Sequence, residues 1–385
     1  LKVSNSPTNG YFLQAQSGNT GGLTWAEASG SGGLSSDAQG NTTGGSNAGD
    51  SFTGTDAEYN TLIGKDAGTA ITEGDRNTAL GHAALMQATT GTGNVAIGNL
   101  ALFENNGDSN VAVGKQAMQE NTSGTGNTAI GYNALNKNTT GTENTVLGYE
   151  AGYSANDSFK TAFGYQAAKG SGTGTGYGTT AFGRKALYSI TTGNYNSGIG
   201  NRALEDATTG GNNTAFGKDA GASVTTGSTN TFFGNAAGDA ITTGSNNTVI
   251  GNDAAASAVD VSNEITLGNS SIATLRCQVT SISSLSDRRD KTDINTLDLG
   301  LDFVNSLKPV KFKWQTRDGK GPKGYQAGFI AQDFQQVQKD NDADYLKLVL
   351  DNNPDKLEAT PGKLIPILVK AIQELSKEIV TLKAG

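Results

Sequence analysis

Histidine and cysteine are almost missing from this chain: His82 and Cys277 are the only ones in 385 residues. One cysteine excludes an intrachain disulfide and leaves the redox compartment unread. With His82 the only histidine, a multi-histidine metal site within one chain is excluded, and no histidine-based triad is expected. His82 also occupies a variable position of a repeat described below, where a surface role is the simpler reading. No apolar run approaches the roughly 18 residues of a membrane span, so no membrane insertion is expected. Hydrophobic residues make up only 35% and charged residues 17%, which is poor for one large globular core. Bases are outnumbered 28 to 36, and the long acidic part of the chain argues against nucleic acid as a partner, because phosphate contacts need clustered Lys and Arg. The chain opens on Leu1 rather than Met, consistent with a fragment, so the lack of a signal peptide carries little weight.

What is abundant is glycine, 54 residues, unevenly spread. Residues 286–385 hold 7 glycines, 16 Lys+Arg and 15 Asp+Glu, and five of the six prolines. The remainder holds 47 glycines, with 12 bases against 21 acids. Two physically different regions therefore meet at the charged stretch SSLSDRRDKTDI, Ser283 to Ile294.

The glycine-rich part is periodic. Glycines fall at 64, 81, 98, 114, 131, 148, 164, 183, 200, 217, 234, 251 and 268, mostly 17 residues apart. The residue before each is always apolar, from Ile63 to Leu267. The residue three after is Ala in twelve copies and Ser271 in the last; the residue four before is Asn in ten. Thirteen copies in phase identify a repeat architecture. In NTAIG, Thr128 and Ile130 fall on one face of a short strand, and the glycine permits a bend or a close backbone approach. The fixed alanine fits a tight corner, and asparagines at a fixed corner can form a side-chain ladder. One repeat cannot bury its apolar face, whereas stacked copies can, with Ile on Ile and Phe on Phe along the axis. The expected fold class is mainly β: a β-solenoid or β-roll stalk of thirteen coils, roughly 60 Å long at ~4.8 Å per coil. The step of 19 around Ala168 to Gly178 predicts an extra bulge and a surface loop.

Little catalytic chemistry is visible in this stalk. The GK pairs at Gly64-Lys65, Gly114-Lys115 and Gly217-Lys218 are not followed by Ser or Thr, so the phosphate-loop motif fails. Glu104, Asp108, Glu143, Glu150 and Asp157 sit in turns without a shared position; solvated turn residues fit them better than a glycosidase pair. No cofactor or metal is expected.

Upstream, residues 1–50 read as a short β connector followed by a Ser/Gly linker from Ser29 to Asp50. The solenoid is assigned to 51–272, a second linker to 273–285, and a small α+β domain to 286–385. In that last domain Leu297, Leu299, Leu301, Val304 and Leu307 are spaced as in a helix. Pro309 ends it, and Val310, Phe312 and Trp314 alternate as a strand. YQAGFIAQDFQQV reads as a strand entering a helix. Leu368, Ile372, Leu375, Ile379 and Leu382 form a coiled-coil seam of two heptads, which needs partner chains or a supporting core.

The blocks SDRRDK, LDFVNSLKPVKFKW, GFIAQDFQQV and LIPILVKAIQEL, in this order over about Ser284 to Leu382, resemble the C-terminal intramolecular chaperone domain of phage tailspikes and tail fibres. That family is a self-cleaving peptidase, found also in some membrane-bound transcription factors. The stalk more loosely resembles the β-roll repeats of trimeric adhesin heads and phage fibres. The resemblance implies a homotrimer whose terminal domain templates folding of the stalk and is then cut off at its own start. It implies Ser286 as nucleophile and Lys291 as its base, with Asp287 and Arg289 at the other fixed positions. The scissile bond is then Ser286-Asp287, or else Leu285-Ser286. Trimer rests on the resemblance, since Ile and Leu alternating in the seam would by themselves favour two strands.

The chemistry agrees with the residue types. A serine hydroxyl needs a base to take its proton. A free lysine has a pKa of about 10.4, so Lys291 must be desolvated or set beside other cations, such as Arg288 and Arg289, to act as one. Burial on assembly would make the cut a report that the trimer has formed. The expected whole is a virion tail fibre or tailspike segment, assembled in the host cytoplasm, that attaches to a bacterial surface polysaccharide or protein receptor. A polysaccharide depolymerase and a bacterial trimeric surface adhesin are the alternatives.

Overall fold

A computed structural model describes residues 34–52, 56–171, 176–272, 274–276, 278, 286–315 and 323–384, and the backbone of two strands upstream. Those two, β1 (Tyr11–Ala15) and β2 (Leu23–Glu27), pair antiparallel with Tyr11 opposite Glu27. Most of the second linker, 273–285, lies outside the described residues, as do 172–175 of the expected bulge.

The repeat region is a β-solenoid of about thirteen turns. Each turn contributes one three-residue strand, from β5 (Thr61–Ile63) through β17 (Ile265–Leu267). Every strand pairs in parallel with its neighbours in sequence, and equivalent residues are aligned: Thr145 with Thr161, Val146 with Ala162, Leu147 with Phe163. The sheet extends further upstream than expected. Within the stretch read as a linker, β3 (Ser35–Ser36) pairs antiparallel with β4 (Thr42–Gly44), which in turn pairs in parallel with β5. Asn41-Thr42-Thr43-Gly44-Gly45 keeps the asparagine of the repeat and, in Gly45, its glycine, but Gly44 stands where the apolar residue would be, which hid it from the periodicity.

The glycines are dictated by the stacking. Gly64 has φ +136° and Gly148 φ +145°, a region closed to side chains. A Cβ at Gly148 would overlap the carbonyl of Gly164, its equivalent one coil on. The asparagines are buried and form the expected ladder. Asn77 Oδ1 accepts from the Asn94 N–H at 2.9 Å, and Asn77 Nδ2 donates to the Gly91 carbonyl at 2.8 Å. Most of these amides thereby satisfy a backbone donor and a backbone acceptor that the narrow coil would otherwise bury unpaired.

One expectation is corrected. The apolar residue before each glycine stacks along the axis, as Phe216 does on Phe233 with ring centroids 5.1 Å apart, but on the outside of the coil. Phe216 is 49% exposed and Phe233 54%. The strand's middle residue points inward instead, because the buried Asn just before the strand fixes the alternation. The interior is narrow, and its filling is complementary. In most coils a small middle residue goes with a large residue six positions on, as Ala79 with Leu85, Ala112 with Met118 and Gly198 with Leu204, whereas Ala162 has Ala168 there. A large middle residue goes with glycine there: Leu62 with Gly68, Val146 with Gly152, Phe232 with Gly238. Phe232 also occupies the space above Gly221, so that coil has Ala215 and Gly221 together.

The 19-residue step is absorbed without breaking the sheet, since Thr161 still pairs with Thr180. At this level the ladder asparagine is replaced by Lys160, which is fully buried and donates from Nζ to the Gly176 carbonyl at 3.1 Å. Thr179, in the next rung, donates to the same carbonyl at 2.6 Å.

The C-terminal domain has its own small core of Phe303, Phe334, Val337, Leu348, Leu364 and Ile367. Helix α1 (Leu301–Ser306) is shorter than its apolar spacing suggested; Leu297 and Leu299 lie outside it, in chain without regular secondary structure, and pack against the core. Strand β18 (Val310–Lys313) pairs antiparallel with β19 (Tyr325–Gly328), which leads into α2 (Ala331–Asp340). A short pair, β20 (Val349–Leu350) with β21 (Glu358–Ala359), precedes the 20-residue α3 (Ile365–Ala384). Ile367 and Ala371 of α3 face this domain's interior. The expected seam faces outward, with Ile372 67% and Leu382 82% exposed. Among the described residues no helix is long and apolar enough to cross a membrane.

Candidate active site

The segment Ser286-Asp287-Arg288-Arg289-Asp290-Lys291 is built by one 3-10 turn, Arg288–Asp290. Asp287 starts it: its backbone is extended (φ −67°, ψ 136°) and its Oδ1 accepts the Arg289 N–H at 2.9 Å. Aspartate does this well because its short carboxylate reaches a free donor two residues on. The Arg289 guanidinium folds back on the same carboxylate, with Nη2 2.6 Å from Oδ2. That contact holds the Asp287 carboxyl below the usual carboxylate range and raises Arg289. The turn closes with the Lys291 N–H donating to the Arg288 carbonyl at 3.2 Å.

The geometric result is that Lys291 Nζ donates to Ser286 Oγ at 2.6 Å. Two residues five apart in sequence thus meet across the mouth of the turn. Both are exposed in the single chain, as are Asp287, Arg288 and Arg289. The arrangement supplies a hydroxyl with an amine in proton-transfer reach, which is the first requirement of a serine–lysine dyad. In the single chain the pair stands in contact with solvent rather than in dry surroundings. Arg289, read as a cation that could act on Lys291, is engaged by Asp287 instead. Ser286 and Asp287 are described on both sides of the first candidate bond; Leu285 lies outside the described residues.

Two of the carboxylates weighed for glycan cleavage serve the coil. Asp108 Oδ1 accepts from the Thr92 N–H at 2.8 Å, and Glu150 is bound by Lys169 at 2.7 Å and by Gln166. His82 sits on the surface, its ring 2.9 Å from the Asn99 amide of the next coil. Among the described residues no group of His, Cys, Asp and Glu is placed to hold a metal ion.

Sequence reasoning missed Lys160 as a buried cation, and the signal was there: it is the one lysine among thirteen ladder positions, ten of which are Asn. Burial pushes its amine down to about 8, a fall that Asp157 opposes.

Compared with known families, residues 286–343 match the Peptidase_S74 model, described as a chaperone of endosialidase. The match begins at Ser286, the residue on which the turn opens. Neither the curated proteins nor the solved structures provide a significant match.

Proposed function

We propose that this chain is a trimeric tail-fibre or tailspike segment whose C-terminal region folds the stalk and then cuts itself away with Ser286 and Lys291. The single observation that carries this reading is the 2.6 Å contact between those two side chains at the first residue of the chaperone-family match.

The chemistry runs as follows. Lys291 Nζ, once neutral, takes the proton of Ser286 Oγ while that oxygen adds to a backbone carbonyl carbon. The C–N bond breaks, the leaving amide nitrogen takes a proton, and water hydrolyses the resulting ester. If the cut bond is Leu285-Ser286, Oγ attacks the carbonyl just before its own residue through a five-membered ring. If it is Ser286-Asp287, attack on its own carbonyl would close a strained four-membered ring, so the hydroxyl must come from a neighbouring copy. In either case the exposure of the pair in a single chain supports cutting only after assembly, when burial can exclude water from the pair. Nucleophile and target then share one particle, and proximity supplies much of the acceleration.

A helical trimeriser suits a stalk of this kind. Joining three chains at α3 raises the effective concentration of their slow-pairing strands. Removal of the domain leaves a stalk that persists by kinetic stability. The remaining rod would sit on the virion tail and attach to a bacterial surface polysaccharide or protein. Mass spectrometry of the expressed protein tests the reading: a stalk ending at residue 285 or 286, with a released fragment of about a hundred residues, is expected. An assembled trimer that stays intact, or an equally rapid cut in Ser286→Ala, would overturn it.

A further inference from the structure

None of the thirteen solenoid strands contains Asp, Glu, Lys or Arg. Their third residues form an outward apolar ladder from Ile63 to Leu267, and much of it is bare: Phe182 is 55%, Phe233 54% and Leu267 53% exposed. Their first residues, nine of them Thr, line the same side. By strand geometry this flat face measures about 60 by 10 Å, on the order of 600 Å². That approaches the ~800 Å² per partner of a stable interface, before α3 adds its own exposed seam. A continuous uncharged face of this size, built on an exposed apolar ladder, marks an interaction site.

We propose that this face is where copies of the chain meet, around an axis parallel to the stalk, so that same-numbered ladder residues lie at one level. The proposal rests on the trimeric reading above and adds which surface closes the trimer. The occupant follows from the period. A partner must present an apolar group at every coil over thirteen coils, and a second stalk has that spacing by construction. Charge points the same way. The chain before residue 286 has 12 bases against 21 acids, so identical rods repel wherever their charged corners meet. The strand face is where neither copy carries charge. Among the described residues each stalk has one such face, and three can converge on a common axis with the corners turned to solvent.

Cysteine cross-linking tests this in the full chain with Cys277→Ser. Phe233→Cys and Phe182→Cys place thiols on the ladder in two separate coils. Asp239→Cys places one on an exposed corner. Oxidised samples are run on non-reducing gels and sized by sedimentation in parallel. The expected result is a trimer in which a ladder cysteine gives covalent dimers at least about tenfold more than the corner cysteine, since effective concentration is set by proximity. A trimer whose ladder cysteines do not cross-link, or do so no more than Asp239→Cys, overturns the proposal while leaving the trimeric reading intact. A dimer cross-linked at the ladder supports the face and overturns the trimer. A monomer overturns both.

Discussion

Lys291 Nζ rests 2.6 Å from Ser286 Oγ, held there by a turn whose capping carboxylate, Asp287, is itself clamped by Arg289. The turn, not a distant domain contact, makes the pair. Replacing Ser286 by Ala, or Lys291 by Ala, is therefore expected to slow release of the C-terminal fragment by a factor of at least about 1,000, followed on denaturing gels. Lys291→Arg should be as slow, because a guanidinium stays protonated. Arg289→Ala should slow the cut less than either, since it loosens the turn without removing a reacting group. Sedimentation of each variant as a trimer separates loss of chemistry from loss of assembly.

The repeat glycines carry a backbone constraint as well as a steric one. Gly148→Ala puts a methyl group into the Gly164 carbonyl at φ +145°. The cost is expected to be at least about 2 kcal/mol, read as faster thermal or denaturant unfolding of the stalk. An unchanged unfolding rate would mean that the coils are not stacked as described.

Lys160 gives the stalk a pH dependence. Its folded pKa of about 8 lies below the usual lysine value, so between the two the folded state binds fewer protons than the unfolded state. Stability must then rise with pH through that window, by about 3 kcal/mol in all. Lys160→Asn restores the ladder residue of the other coils. It is expected to stabilise the stalk at pH 7 and to remove this part of the rise, seen as the difference between the two unfolding curves from pH 7 to 11. Parallel curves would refute it.

Glu374 of α3 caps α1, accepting the Leu301 N–H at 2.7 Å. That bond, ahead of the contact with Lys370, holds its carboxyl below the ordinary range. A lowered carboxylate pKa stabilises above the unfolded value and is lost as pH falls through the folded one. Glu374→Gln should speed hydrogen exchange at the first amides of α1 near neutral pH and leave it less sensitive to acid. No change in either would dismiss the cap.

The solenoid, its glycine corners and the asparagine ladder were legible in the sequence because stacking repeats the same requirement every coil. What escaped was which apolar residue faces in. Ala129 and Ile130 are both apolar, and a three-residue strand is too short for alternation to tell them apart; the buried Asn127 just before Thr128 decides it. The start of the sheet escaped because Thr42-Thr43-Gly44 has nothing apolar to mark it. In the C-terminal domain, Pro309 and the alternation after it placed β18, but the spacing from Leu297 overstated α1, whose first turn is set by Glu374, 73 residues away. The Ser286–Lys291 pair was named through a resemblance. Their contact through one turn is a feature of the fold alone.

The matching of strand residue to following corner also limits how such a rod can lengthen or shorten over generations. Excising residues 115–131 would join Ala112 to Leu135, a filled level. Excising 218–234 would join Ala215 to Gly238 and leave a void where Phe232 had been. Coils of equal length are therefore not interchangeable cassettes, and inheritable gains or losses of turns should have their breakpoints where neighbouring levels agree in volume.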